Sequence, residues 1–244
     1  MFATPLCMAF IAILVPFCWR ANVAFDKEVD RILKEDPRKC VALVFAHPDD
    51  ESMFLTPFLE YLQRKRPSVT GLDVKMLTLS SGNAEGVGEL RKVELSKLCD
   101  KYAIDCKLID DPLLQDGPML WDTSIVVRYV RSFLDETACN FVVTFDDWGV
   151  SDHPNHKSVS RAVVALKAEK PNLLVWLLVS HIKLIKYVPL LGILSGLLRG
   201  RSVLIFGTFK VYANMKIHAT QMRWHILPWS FLSSYAYANS FRKL

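Results

Sequence analysis

The chain predicts an α/β domain, a mostly parallel sheet with helices on both faces, preceded by an N-terminal transmembrane helix. Three observations predict this. Apolar, β-branched runs of strand length alternate with stretches of helical periodicity, as in successive βαβ units. Several of those runs end in clusters of polar residues, where open α/β sheets bind their ligands. At the N-terminus, Phe2 to Trp19 ("FATPLCMAFIAILVPFCW") carries no charge over about the length that crosses a hydrocarbon core.

The N-terminal run reads as an uncleaved anchor. No basic segment precedes it, and the bulky Cys18-Trp19-Arg20 is no signal-peptidase site. Arg20, Lys27, Arg31, Lys34, Arg38 and Lys39 follow it, so the positive-inside bias places the rest of the chain in the cytosol. Strands are then predicted at 41–45 ("VALVF"), 74–80 ("VKMLTLS"), 106–110 ("CKLID"), 140–145 ("NFVVTF"), 172–180 ("NLLVWLLVS") and 202–209 ("SVLIFGTF"). Helices are predicted at 52–65, 89–102, 121–136 and 155–168, the first despite Pro57. Val188 to Leu198 is uncharged but too short to span a bilayer, and reads as an interfacial hairpin or helix flanked by Lys183, Lys186, Arg199 and Arg201.

Of the 244 residues, 51% are apolar and mean hydropathy is +0.20, high for a chain without membrane-facing segments. The net charge of +5 conceals a segregation. From Pro171 to Leu244 there are nine basic residues and no acidic one, whereas the remainder carries 21 basic against 25 acidic. A basic, apolar C-terminal third suits an anionic lipid surface or an anionic substrate. No nucleic-acid motif accompanies it. The six cysteines form no C-x-x-C pair, which leaves zinc knuckles and thioredoxin-like chemistry unsupported, and on a cytosolic reading they are reduced, buried, small apolar residues.

The chemistry concentrates at two strand ends. "AHPDDE" follows the strand at 41–45 and "DDWGVSDHPNH" the strand at 140–145. His47 and Asp50 are three apart across a proline turn, and His153 and His156 have the spacing of a helix start. Imidazole with carboxylate suits zinc or a similar divalent ion, and three protein ligands with one open position is the catalytic pattern. His47, Asp50 and His156 are the expected ligands. Asp49 is then the expected general base on a water at that ion, and His153 the donor to a developing oxyanion or to a leaving amine. Asp152 or Asn155 would orient an imidazole. Either cluster alone could be an N-capped helix start; two at two strand ends of one sheet argue for a site.

Together "AHPDDE", "GELRKVEL" (88–95) and "HPNH" resemble the LmbE-like N-acetylglucosamine de-N-acetylases, metal enzymes of Rossmann-like fold. The resemblance implies zinc held by His47, Asp50 and His156, with Asp49 and His153 catalytic. It implies substrate contacts by Arg91, whose planar fork suits an inositol phosphate, and by Asn83, which serves equally as a turn residue. Where many relatives carry Asp in the third place of the second motif, this chain has Asn155. The anchor, "GVSDHPNH" and the late "IHATQMRWH" (217–225) resemble the branch of the family that deacetylates a phosphatidylinositol glycolipid, the second step of glycosylphosphatidylinositol anchor synthesis at the cytosolic face of the endoplasmic reticulum. The implied organisation is an anchor at 1–20, a linker at 21–39 and a deacetylase domain at 40–244, with a membrane-facing segment at about 181–200. The implied partners are glycolipid and membrane, with no nucleic acid. His218 and Gln221 of the late motif receive no role, and His181 and His225 read as ordinary polar or packing residues. A deacetylase of a soluble N-acetylglucosamine conjugate and an inactive membrane adaptor on the same fold are the alternatives. Activity on soluble sugar but not on glycolipid would select the first, and the presence of all five proposed catalytic residues disfavours the second.

Overall fold

A computed structural model describes residues 3–204 and 209–244, without the side chains of residues 3–11 and 13. Among the described residues, seven strands form one sheet: β1 (Cys40–Phe45), β2 (Asp73–Thr78), β3 (Asp105–Leu108), β4 (Phe141–Phe145), β5 (Leu174–Leu178), β6 (Ser202–Leu204) and β7 (Ala238–Lys243). Their order is β3-β2-β1-β4-β5-β7-β6. The pairs from β3 to β5 are parallel, with Val41 opposite Val74 and Leu43 opposite Val143. β7 runs antiparallel to both β5 and β6, so the sheet is mixed at that edge. Every residue of β1 and β4 is buried, which is why these strands read as unbroken apolar runs rather than alternating ones.

The strand order reverses between β1 and β4, and a crevice opens at such a switch point beyond the carboxyl ends of the strands. Both histidine-bearing motifs leave their strands there.

The expected strands appear in place with ends displaced by one or two residues, and residues 205–208 of the predicted 202–209 strand lie outside the described residues. The predicted 52–65 helix is two, Asp50–Phe54 and Thr56–Lys65, broken at Leu55 where Pro57 at the start of the second helix cannot donate a backbone N–H. β7 was not expected. "ANSFRK" has neither an apolar run nor β-branched residues, and its place in the sheet comes from pairing with β5 and β6.

Residues 21–39 are not a linker. Ala3–Glu35 is one helix of 33 residues, and Phe25, Val29, Ile32 and Leu33, at the i, i+4, i+7, i+8 spacing of one helix face, are buried in the core among the charges that suggested a solvated linker. Among the described residues no helix is long and apolar enough to cross a membrane. Most side chains of the expected anchor at 2–19 lie outside the description.

The cysteines also depart from expectation. Cys40 is disulfide-bonded to Cys139 and Cys99 to Cys106, and Cys18 is free and buried. Parallel pairing sets the starts of β1 and β4 side by side, and so brings together two cysteines 99 residues apart in sequence. In the 181–200 segment the helix Pro189–Arg199 presses Gly192 and Gly196 against Ser234 and Ser202, approaches a Cβ would obstruct or crowd. Its Leu190 and Leu198 face outward.

Candidate active site

His47 leaves β1 by two residues, and its neighbours fix which of its nitrogens is bare. Asn155 Nδ2 donates to the Met119 carbonyl, so Asn155 Oδ1 is an acceptor, and it already receives the Gly117 N–H. His47 Nε2 lies 3.0 Å from that oxygen and 3.2 Å from Asp116 Oδ1, and therefore carries the ring proton. Its Nδ1 is left as a lone pair, 3.9 Å from Asp50 Oδ2. His156 is arranged the other way round. Its Nδ1 lies 2.9 Å from the Gly149 carbonyl, which can only accept, so Nε2 is bare and sits 3.1 Å from Asp50 Oδ1.

Asp50 is held by its own loop, its Oδ2 accepting the backbone N–H groups of Ala46 and His47 at 3.1 and 2.9 Å. All three side chains are buried. A lone pair of His156 and a carboxylate oxygen in contact in a dry site need a positive charge between them, either a proton or a cation. Tetrahedral zinc sets its ligand atoms about 3.3 Å apart, close to the 3.1 Å between His156 Nε2 and Asp50 Oδ1, while His47 Nδ1 stands 3.9 Å from the other oxygen of the same carboxylate. The residues present fit a divalent cation.

His47, His153 and His156 also bring ring nitrogens within 4.8 Å of one another and could be taken as a three-histidine site. The tautomer of His153 argues against this. Its Nδ1 accepts the Asn155 N–H at the start of helix Pro154–Glu169, so in the neutral ring Nε2 carries the proton and is a donor rather than a ligand. Burial and the neighbouring His156 and His47 push its pKa down to about 4, which keeps the ring neutral. For Asp50, burial opposes ionisation but the His156 and His47 contacts outweigh it and hold the carboxyl well below the usual range.

Asp49 stands beside this set and outside it. Burial, against the pull of Arg91, pushes its pKa up to about 6, so it ionises near neutrality while remaining basic. Its backbone is left-handed, at φ 107°. The Glu51 carboxylate accepts the Asp49 N–H at 3.1 Å, and Glu51 in turn receives the Ser52 hydroxyl and His218 Nε2, each at 2.7 Å, with Glu51 and His218 both fully buried. His218 thus braces the loop that carries Asp49. Gln221 makes no contact with the site, its amide donating to Thr220. Thr220 bonds Glu94 through both its N–H and its hydroxyl, which ties the late motif to "GELRKVEL".

Other expected residues take different roles. Arg91 is buried, its guanidinium donates to the carbonyls of Gly82 and Pro48 and to Asp49 Oδ1 at 3.1 Å, and its Nε is left without a hydrogen-bond partner. It positions Asp49. Asn83 is exposed and its side-chain oxygen accepts the Gly88 N–H, as a turn residue does. Asp152 points to solvent and pairs with Lys157, so of the two expected residues it is Asn155 that orients an imidazole.

One residue was not foreseen. Asp116 Oδ1 lies 3.2 Å from His47 Nε2 and 3.7 Å from His153 Nε2. It comes from the loop after β3, where the D-G pair of "LLQDGPML" signals only a turn.

The turn between β4 and His153 has positive φ at Gly149, Val150 and Asp152. A Cβ on Gly149 would stand 2.6 Å from that of His156. The missing side chain is what lets the Gly149 carbonyl reach His156 Nδ1, and strain of this kind collects at functional sites.

A probable N-acetylglucosaminyl-phosphatidylinositol de-N-acetylase of Schizosaccharomyces pombe is 32% identical over 83% of this chain and 86% of its own. The N-acetylglucosaminyl-phosphatidylinositol de-N-acetylase of Bos taurus is 33% identical over 81% of each chain. Among solved structures, the N,N'-diacetylchitobiose deacetylase of Pyrococcus horikoshii superposes over 91% of each chain with a TM-score of 0.60 at 16% identity, a likeness of fold. Residues 42–167, which hold every proposed ligand and catalytic residue, match the family described as PIG-L, GlcNAc-PI de-N-acetylase, and the chain belongs to that family.

Proposed function

We propose that the chain hydrolyses the acetamide of N-acetylglucosaminyl-phosphatidylinositol to glucosaminyl-phosphatidylinositol and acetate, the deacetylation step of glycosylphosphatidylinositol anchor synthesis. The observation that carries this reading is the family match over residues 42–167, since the donor set converges inside it.

His47 Nδ1, His156 Nε2 and the Asp50 carboxylate would hold the cation, and two imidazoles with one carboxylate favour Zn2+. When bound, the cation supplies Lewis acidity to the acetyl carbonyl and to water. Asp49 takes the proton of the attacking water as its oxygen bonds to the carbonyl carbon. His153 Nε2–H donates to the carbonyl oxygen as that oxygen becomes anionic. Asp49 then returns the proton to the glucosamine nitrogen as the C–N bond breaks, and the acetic acid and amine so released exchange a proton to give acetate and the ammonium. Arg91 keeps Asp49 aimed throughout.

The test is incubation of the purified protein with the glycolipid, and separately with a soluble N-acetylglucosaminide, with and without a chelator, followed by mass spectrometry. Loss of an acetyl group from the glycolipid, abolished by chelation and restored by Zn2+, is the expected result. Turnover of the soluble sugar alone would replace the lipid reading with a soluble-substrate one.

The reading extends to place and topology: the endoplasmic reticulum membrane, with residues 1–20 as a single-pass anchor and the catalytic domain on the cytosolic side. The exposed Ile182, Leu184, Tyr187 and Leu198, set among Lys183, Lys186, Arg199 and Arg201, support contact with an anionic bilayer surface. Cytosolic reductants oppose disulfides, so this topology predicts that Cys40, Cys139, Cys99 and Cys106 stand as adjacent thiols in the cell. Alkylation of the denatured protein without reductant should label all four, and protection of both pairs would place the domain in an oxidising compartment.

A further inference from the structure

Arg91, the basic side chain expected to meet the substrate phosphate, is buried, with donors taken by Gly82, Pro48 and Asp49. A second candidate lies one strand further along the same rim. A cavity of about 500 Å3 opens beyond the carboxyl ends of β4 and β5, with Ser151, Ser180, His181, Lys183 and Lys186 among its lining residues.

His181 is the informative residue. It is 7% exposed, yet neither ring nitrogen has a hydrogen-bond partner. A buried imidazole with both nitrogens unpaired is costly unless something else fills the space beside it. Burial and the nearby cation Arg199 push its pKa down to about 4. The neutral ring therefore offers one donor and one acceptor.

Only the Gly149–Asp152 turn separates this cavity from the metal centre. On one side its Gly149 carbonyl and Ser151 hydroxyl lie 2.9 and 3.2 Å from His156 Nδ1. On the other, the Val150 N–H donates to Ser180 Oγ at 2.7 Å and the Val150 carbonyl accepts from Lys186. An ammonium has three donors, so Lys186 keeps two in hand. The carboxylate at the lip, Asp152, is neutralised by Lys157. Exposed Ile182, Leu184 and Tyr187 lie next to the lysines, so positive charge gives way to apolar surface over a few residues.

We propose that this cavity is the subsite for the phosphodiester and inositol of an anionic glycolipid, with Lys183 and Lys186 meeting the phosphate, His181 and Ser151 bonding ring hydroxyls, and the acyl chains leaving over the apolar lip. The inference rests on the glycolipid reading and names the part of the chain that recognises the lipid headgroup. It requires no contact between phosphate and Arg91.

The test compares kcat/KM for a short-chain, water-soluble N-acetylglucosaminyl-phosphatidylinositol with that for N-acetylglucosaminyl-inositol, which lacks the phosphate. Lys183→Ala should lower the ratio of the two values about tenfold through KM, and Lys183→Ala with Lys186→Ala roughly a hundredfold, as expected for the loss of one and two charge-assisted contacts. Lys183→Arg should restore most of the single loss. A ratio that stays at the parent value in the double variant overturns the assignment, even if overall activity falls because the Val150 turn has loosened. Competition identifies the ligand: glycerophosphoinositol should inhibit the parent and do so more weakly in the double variant, whereas equal inhibition by inorganic phosphate would overturn the headgroup assignment. If the parent protein leaves the glycolipid acetylated, the functional reading falls, and this one with it. If the parent acts and the variants do not discriminate, only the subsite falls.

Discussion

Replacing Asp49 with asparagine should lower kcat by about 10²- to 10⁴-fold, the range for loss of a positioned general base, and leave bound metal at the parent stoichiometry. The substitution isolates the proton-transfer role for three reasons. Asn is close to isosteric with Asp, and its amide oxygen can still accept from Arg91, which approaches Asp49 Oδ1 at 3.1 Å. Asn also tolerates the left-handed backbone that this position adopts at φ 107°, so the loop keeps its shape. Finally, Asp49 is not one of the three groups that converge: the bare nitrogens of His47 and His156 face the carboxylate of Asp50. Asp50→Asn should behave differently and lose metal together with activity. Metal content by elemental analysis and turnover on the same preparation separate the two variants. Turnover of Asp49→Asn at the parent rate, with the metal site full, would remove the base assignment and leave the ligand set standing.

The contrast between these neighbouring acids shows what the sequence carried and what it did not. "AHPDDE" and "HPNH" were legible because each follows an apolar run that could only be a buried strand, and because histidine and carboxylate at such spacing have few uses. Their convergence across β1 and β4 follows from the strand order, which the alternation of strands and helices leaves open. Arg91 was recognised as belonging to the site and given the wrong neighbour, since a spacing shows that an arginine is present but not whether its donors are free. Asp116 was invisible. It sits in an irregular loop, far in sequence from His47, and no periodicity brings that loop over the site. β7 escaped notice because an edge pairing, not an apolar run, makes it a strand. The helical stretch 20–35 was misread because charges on its outer face drew attention away from Phe25, Val29, Ile32 and Leu33 on its inner one.

His218→Ala should destabilise the fold by roughly 3–5 kcal/mol, the cost of leaving one partner of a buried ion pair alone, and lower Tm by on the order of 10 °C for a chain of this size. The pair is suited to show this. His218 and Glu51 are both fully buried at 2.7 Å. Burial by itself would lower the pKa of His218, but the adjacent Glu51 carboxylate outweighs it and raises it. Without the imidazole, Glu51 keeps a carboxylate in the core with the Ser52 hydroxyl and the Asp49 N–H as its remaining partners. The site should suffer as well, because Glu51 is what restrains the Asp49 backbone. A double variant separates the charge from the cavity. Glu51→Gln with His218→Leu removes both charges, keeps an amide oxygen for the Asp49 N–H and fills the space of the ring, and exchange of a buried ion pair for neutral groups of similar volume is often nearly free. It should therefore melt above His218→Ala. If it melts at or below the single variant, the stability comes from packing of the imidazole rather than from its charge, and the late motif braces the catalytic loop by shape alone.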